Sequence, residues 1–392
     1  MSMNPADEPD RLQQLKILRA SALSFATKES PRRRARAWRA KAPGYDRCFW
    51  DALAVQGWTG LLVAEAHGGY GQGFAEMAEV VAALAAQVAP EPVVPTLVFA
   101  GRVLALAGSN ETTTRLLGEL ADGRTLPAVA WQEDATGTLD FAAPATRLER
   151  DGAALLLRGH KGHVRPGAGA DGYIVSASCM QGLALVWVPG DTPGLDVSSR
   201  LLADGSYAAQ LGFDGVRLPG HHLLGAGRIA LEALARAHDE TLVMASVELL
   251  ALLRCMLSMT LDYLRTRVQF GKPIGSFQSL QHRAVDLLIQ QELTAAVVAQ
   301  AVALLDADGD TAGAATARSA MASRVKARAA DAALRVAREA VQMHGAIGVT
   351  DEYDLGLYLQ RTLVLAAWLG NASMQRRRYA AQTRAALTQS LE

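Results

Sequence analysis

Two short stretches carry side chains suited to holding a small anionic ligand. In the first, Tyr263-Leu-Arg-Thr-Arg267-Val-Gln269-Phe270-Gly271-Lys272-Pro273-Ile274-Gly275-Ser-Phe277-Gln278, a helix stops at a glycine, and an arginine, an amide and two aromatic rings surround the break. Such a set pairs a fixed cation with phosphate and packs rings against a flat ligand. The plainer alternative is a helix end with a solvated arginine, and spacing alone leaves both open. In the second, Gln342-Met-His344-Gly345-Ala346-Ile-Gly348-Val-Thr350-Asp-Glu352-Tyr353, glycines permit close backbone approach to a ligand while Gln342 and Thr350 offer neutral hydrogen bonds. An ordinary helix cap and turn accounts for the same residues.

Other patterns argue against competing chemistries. The histidines show no HxxxH or Cys/His spacing, so no metal site is expected. Cys48, Cys179 and Cys255 lie far apart without CxxC spacing, which argues against a disulfide framework and fits a reducing, cytoplasmic setting. Cys255, inside an apolar helix, reads as a core residue rather than a nucleophile. A GxGxxG string runs from Gly167 to Gly172 into a strand-like segment; the phosphate-binding version needs a strand before it and a helix after, so a hairpin loop is expected. The run Arg32-Arg33-Arg34-Ala35-Arg36 has no interleaved aromatics, and 39 Lys+Arg balance 39 Asp+Glu, so a solvated helical face is expected and nucleic acid is not an expected partner.

The elements that must position these residues are readable from periodicity. Residues 9 to about 120 carry apolar residues at three- and four-residue spacing and read mostly as helix. From Leu126 to about Pro219 the texture becomes short β-rich runs with a turn at Asp151-Gly152, which predicts a small antiparallel sheet. Long helices return from about Ala226, broken at residues 271–276 and in the stretch around Asp306 to Gly313. The expected division is a helical domain over 1–125, a β domain over 126–222 and a helical bundle over 223–392. A βαβα alternation is missing, which counts against a doubly wound dinucleotide-binding sheet. The most apolar window, Leu242 to Met259, is interrupted by Glu248 and Arg254, so it reads as a buried core helix rather than a membrane span. No secretory signal is visible at the N-terminus, and 50% hydrophobic content over 392 residues suffices for a large core.

With this domain order, the two segments resemble the acyl-CoA dehydrogenase family of flavoproteins over nearly the whole chain. Gly57-Trp58-Thr-Gly60-Leu-Leu-Val-Ala-Glu65-Ala-His-Gly68-Gly69-Tyr-Gly71 is close to a family pattern of the N-terminal lobe, and Gly159-His-Lys161-Gly-His163-Val164, followed by Ala170-Asp171, resembles one of the β domain. The resemblance implies a fold that is mainly α with a central β domain: an N-terminal α-helical domain, a middle antiparallel β domain and a C-terminal four-helix bundle. It also implies a homotetramer, or a heterotetramer with a homologous subunit, holding FAD between subunits. An acyl-CoA substrate and an electron-transfer flavoprotein are the implied partners. By the same resemblance Arg267 contacts the flavin pyrophosphate of a neighbouring subunit, with Gln269, Phe270 and Gln278 in the same segment, and Gln342, Gly345 and Ala346 approach the adenosine half. Ala346 stands where much of the family has glycine. Around the flavin ring it implies Trp131, Gln132, Thr138 and His163, of which Gln132 replaces a threonine, Thr138 a serine and His163 an aromatic residue.

The family reaction removes a proton α to the thioester and passes a hydride from the β carbon to the flavin, which requires a carboxylate near the α carbon. The common glutamate position is Leu369 here, within Trp368-Leu369-Gly370-Asn371, and the alternative helical position is Thr241. Glu240 and Asp239 are the nearest acidic residues. One residue turns a helix by about 100°, so Glu240 needs a one-residue shift to act as base; the plainer reading makes both helix-surface carboxylates. Leu369 still offers the backbone N–H that the resemblance places on the thioester carbonyl. Three readings follow: an FAD-dependent acyl-CoA dehydrogenase, a non-catalytic partner subunit of a base-bearing homologue, or a relative with different flavin-site chemistry such as elimination or monooxygenation.

Overall fold

The computed structural model describes residues 8–133, 141–167, 169–307 and 313–389; Thr138 lies outside the described residues. In chain order the elements are α1 (Glu8–Glu29), α2 (Arg33–Trp38), α3 (Arg47–Val55), α4 (Phe74–Ala86), a π-helical stretch (Val94–Ala100) running into α5 (Gly101–Leu106), and α6 (Glu111–Ala121). The strands β1 (Pro127–Ala130), β2 (Arg147–Asp151), β3 (Ala154–Val164), β4 (Gly172–Cys179), β5 (Gly182–Pro189), β6 (Leu195–Leu201), β7 (Tyr207–Pro219) and β8 (Leu223–Ala226) follow. Then come α7 (Arg228–Thr266), the hairpin β9 (Val268–Gln269) and β10 (Lys272–Pro273), α8 (Gln278–Ala307), α9 (Ala314–His344), α10 (Leu355–Ala367) and α11 (Ala372–Gln389). The chain forms two compact units that cut across sequence order. One gathers the chain up to Ala37, Phe74–Ala89 and everything from Leu242 onward; the other gathers Trp38–Gly73 and Pro90–Thr241.

In the second unit the strands form one sheet in the order β6-β7-β3-β2-β4-β5-β8, with β1 added on β4. The turn expected at Asp151-Gly152 is present: Asp151 faces Ala154, and Gly152 adopts φ 62°, a conformation glycine enters without steric penalty. The sheet departs from the expected antiparallel pattern where β2 meets β4 in parallel at Arg147↔Ser178, and at β1, which runs parallel to β4 from Pro127↔Gly172 to Ala130↔Val175. For β1 the cause is a shared anchor. Leu126 N–H donates to Asp171 Oδ2 at 2.6 Å and Asp171 N–H donates to the Leu126 carbonyl at 3.0 Å, so both strands start at the same end. Leu155, Leu157, Val175, Ala177, Val186, Val188 and Phe213 are buried in the sheet's core. The GxGxxG string is not a hairpin loop: it links β3 to β4, which have β2 between them. Its glycines answer to packing, since a Cβ on Gly172 would fall 2.4 Å from the Trp187 ring and one on Gly169 would fall 2.5 Å from Pro43.

The first unit is helical. Leu249, Leu252, Leu253, Met256 and Leu257 of α7 share a core with Ala329, Ala330, Ala333, Val336 and Ala337 of α9 and with Leu355, Tyr358 and Leu365 of α10. Small alanines on one face of α9 let neighbouring helices approach closely. Among the described residues, two helices are long and apolar enough to cross a membrane. The apolar window of α7 is 78% buried, which makes it a core helix, whereas that of α8 is only 28% buried. The arginine run is not simply a solvated face. Arg32 and Arg36 both donate to Asp354, at 3.2 and 2.6 Å, and Arg36 Nε also donates to the Asp351 carbonyl at 2.9 Å.

Candidate functional site

In the helical unit α7 stops at Thr266 and the chain folds back as a two-residue hairpin, with Lys272 facing Gln269 and Pro273 facing Val268. Phe270 and Gly271 at its tip both have positive φ, 52° and 77°. That is the turn geometry matching strand twist, but it favours Asn or Gly at the first position. A phenylalanine there, 90% exposed, is a strained apolar residue held out from the surface. Arg267 beside it is exposed, and among the described residues its guanidinium has no acceptor. Gln269 on β9 and Gln278 at the start of α8 are exposed as well. Phe277 packs edge-on to Phe270 at 6.1 Å, with Lys272 Nζ 4.5 Å from its ring centroid.

Gln342, at the end of α9, and Gly345 and Ala346 just after it are all exposed. An aromatic stack brings their segment to the end of α7. The Tyr263 ring lies on His344 with centroids 4.5 Å apart and planes 26° apart. His344 Nδ1 lies 2.7 Å from the Ala340 carbonyl and therefore donates to it, so Nε2 accepts from the Tyr353 hydroxyl at 3.2 Å. Burial lowers the pKa of His344 against the raising effect of its backbone bonds, which keeps the ring in this neutral, fixed tautomer. Gly345 requires its glycine, with φ 66° and open space around a would-be Cβ. Ala346 lacks a positive φ and is exposed, so its methyl adds no strain.

Leu369 lies between α10 and α11 with its side chain buried and φ 60°. No acceptor among the described residues takes its N–H.

In the unit that holds the sheet, Trp131 and Gln132 follow β1 and are half-buried. The Gln132 carbonyl accepts from Gly162 N–H at 2.7 Å, and Trp131 meets Phe141 and His238 edge-on at 5.1 and 5.7 Å. His163 is exposed with φ 54°, inside the register shift between Lys161 and Val164 where β3 bulges against β7. Under this strip lies an ion pair: Lys161 Nζ donates to Glu133 Oε1 at 2.7 Å and to the Trp131 carbonyl at 3.3 Å. Burial would raise the Glu133 carboxyl, but the Lys161 bond and the amides of Thr146 and Ala145 outweigh it and hold the carboxyl at about 2. Burial pushes the Lys161 ammonium down to about 8 in spite of Glu133.

Glu240 is 1% exposed and both its oxygens are engaged. Arg102 donates from Nε to Oε2 at 2.7 Å and from Nη2 to Oε1 at 3.2 Å, and Arg236 Nε donates to Oε1 at 2.9 Å. Helix α7 is uninterrupted from Arg228 to Thr266, so nothing rotates Glu240 into the Thr241 position. Thr241 itself donates to the Ala237 carbonyl at 2.6 Å. Asp239 is 2% exposed, with Oδ1 3.8 Å from His238 Nδ1. These carboxylates are buried, not on the helix surface.

Lys326 and Gln375, both fully buried against the Leu369 turn, are absent from the sequence candidates. A signal was present: Lys326 falls at helical spacing from Ala322, Ala329, Ala330 and Ala333, a charge set into the apolar stripe of α9.

Comparison with known proteins places this geometry among relatives. The family model described as Acyl-CoA dehydrogenase, N-terminal domain, matches residues 13–124, and that described as Acyl-CoA dehydrogenase, C-terminal domain, matches residues 231–383. The chain is 30% identical over 316 residues to acyl-CoA dehydrogenase FadE12 of Mycobacterium tuberculosis, covering 78% of this chain and 80% of the relative. It is 28% identical over 367 residues to acyl-CoA dehydrogenase IpdE2 of Mycolicibacterium smegmatis, covering 93% and 97%. Among solved structures, a single-substitution variant of the Tcur3481-Tcur3483 steroid ACAD superposes with a TM-score of 0.85 at 28% identity, covering 96% of this chain and 99% of that one.

Proposed function

The chain belongs to the acyl-CoA dehydrogenase family, and from that premise we propose that it is an FAD-dependent acyl-CoA dehydrogenase subunit. In this reading it serves the α,β-dehydrogenation of an acyl-CoA thioester to the 2-enoyl-CoA and passes electrons to an electron-transfer flavoprotein. One observation carries the reading: Arg267, exposed and without an acceptor among the described residues, stands on a strained hairpin that an aromatic stack joins to the Gln342–Gly345 segment. These residues fit a flavin nucleotide. Arg267 supplies charge-assisted donors for a pyrophosphate, Phe270 a face for a flat group, and Gly345 open backbone for close approach. FAD, when bound, supplies the hydride acceptor. Leu369 donates its free N–H to the thioester carbonyl, which acidifies the α carbon. Trp131, Gln132 and His163 are assigned to the side of the flavin ring.

The partner-subunit reading is favoured by Leu369 and Glu240. Among the described residues, the first family location for the base is a buried leucine, and the carboxylate nearest the second is held by two arginines. The α-proton acceptor then comes from a homologous subunit. The solved relative named Tcur3481-Tcur3483 steroid ACAD joins two proteins in its name, and that likeness supports the reading of a heteromeric assembly taking a steroid-type thioester.

Anaerobic titration of the purified protein with straight-chain, branched and steroid side-chain acyl-CoA thioesters tests both readings. Bleaching of bound flavin by the chain alone supports the first. Bleaching only after co-expression with a homologous subunit supports the second. Flavin that stays oxidised in every combination sinks both.

A further inference from the structure

Helix α10 ends at Ala367, which leaves the carbonyls of its last turn without intrahelical donors. Helices usually solve this with a glycine in the left-handed region and local backbone bonds. Here a leucine, Leu369, takes that region first, at φ 60°, with Gly370 following at 95°. A side chain in that region crowds its own backbone, so the turn is strained. The carbonyls are met from a distance. Lys326, on α9 and with no exposed surface, donates from Nζ to the carbonyls of Leu365, Ala366 and Gly370 at 2.9, 3.2 and 3.4 Å. Three acceptors match the three donors of an ammonium group. Gln375, equally buried, donates from Nε2 to the Leu369 carbonyl at 2.7 Å, and Asn371 starts α11 by accepting from Met374 N–H at 3.0 Å. The carbonyls around Leu369 are thus tied to two buried side chains, while its N–H remains without an acceptor among the described residues.

We propose that Lys326 and Gln375 are positioning residues for the thioester: they clamp the α10–α11 turn so that the strained Leu369 presents its N–H outward, with the buried Lys326 side chain behind it. The proposal rests on the reading above in which that N–H meets the thioester carbonyl. A buried lysine is a costly helix cap, and burial pushes its amine down to about 7. A glycine at position 369 would have closed the turn with neither strain nor charge. Retaining both makes sense where the orientation of one amide decides binding.

The test uses the full-length protein with its flavin, together with any subunit that co-purifies. The probe is [1-13C]acetyl-CoA, which has no β carbon and so reports carbonyl polarisation without turnover or knowledge of the acyl pocket. Isotope-edited infrared spectra of the wild type are expected to show the bound carbonyl band shifted to lower frequency. Lys326→Met and Gln375→Met should each lose at least half of that shift and bind acetyl-CoA about tenfold more weakly, with flavin content retained. A wild type with no shift defeats the thioester-docking reading itself. A wild-type shift reproduced in full by both variants overturns only the clamp. If both variants fail to fold, the two side chains serve stability and the proposal is also overturned.

Discussion

At the scale of single residues, neither place where the family reaction needs a carboxylate holds one: the first is Leu369 and the second is Thr241, one residue after Glu240. Leu369 keeps a backbone donor and gives up the acid. Glu240 keeps the acid and commits both oxygens to Arg102 and Arg236. A carboxylate whose two oxygens are both taken by guanidinium groups is held in place and does not turn toward a substrate without breaking charge-assisted bonds. Glu240→Gln is therefore expected to lower unfolding free energy by roughly 3–5 kcal/mol, the scale for removing one partner of a buried ion pair, and to leave the rate of flavin reduction unchanged. Denaturant unfolding together with anaerobic stopped-flow checks this. A rate that collapses while stability holds would restore Glu240 as the base. Spacing in the sequence could not show the clamp, since Arg102 is 138 residues from its partner.

Among the elements, the bulged β3 strand and the segment after β1 are joined through Lys161 and Glu133, and this pair supports the strip that carries Trp131, Gln132 and His163. Glu133 ionises in the fold at about 2 against an ordinary 4.5. Its contribution is therefore complete above about 4.5 and fades as pH falls toward 2, where the folded carboxylate takes up its proton. Lys161 shifts down from its ordinary 10.5 to about 8, so between those values the unfolded chain binds more protons and stability from this group rises with pH. Wild type should accordingly exceed Glu133→Gln in stability at neutral pH, with the gap closing across about pH 4.5 to 2. Parallel denaturation series across that range measure it; a gap independent of pH would show that Glu133 is not held ionised by the pair. The turn at Asp151-Gly152 and the helix break at residues 271–276 were readable because glycine and proline act locally. The parallel direction of β1 was not, because it depends on Asp171, 45 residues from Leu126.

At the scale of the whole molecule, α8 carries an apolar stripe open to solvent: Val285, Leu288, Ile289 and Leu293 are 55, 45, 47 and 52% exposed and lie at three- and four-residue spacing on one helix face. Covering the exposed part of each contributes about 1 kcal/mol. Isolated apolar side chains at a surface are ordinary, but a contiguous stripe on a 30-residue helix points to an interface. Under the tetramer reading this face meets another subunit. Leu288→Glu combined with Leu293→Glu should reduce the native mass by at least half in light scattering coupled to size-exclusion chromatography, with far-ultraviolet dichroism preserved. A mass unchanged from wild type would remove α8 from the interface.

The sequence by itself determined the family, the order of helices, sheet and helices, and which arginine, glycines and glutamine the nucleotide reading rests on. These properties are carried by neighbours in the chain: periodicity sets which face is apolar, and glycine or proline sets where an element stops. Only the tertiary structure decided that Glu240 is clamped, that Tyr263 near the end of α7 stacks on His344 at the end of α9, and that Lys326 lies buried beneath the Leu369 turn. Each of those outcomes depends on a partner tens to more than a hundred residues away, brought within about 3 to 5 Å by packing that no local spacing encodes.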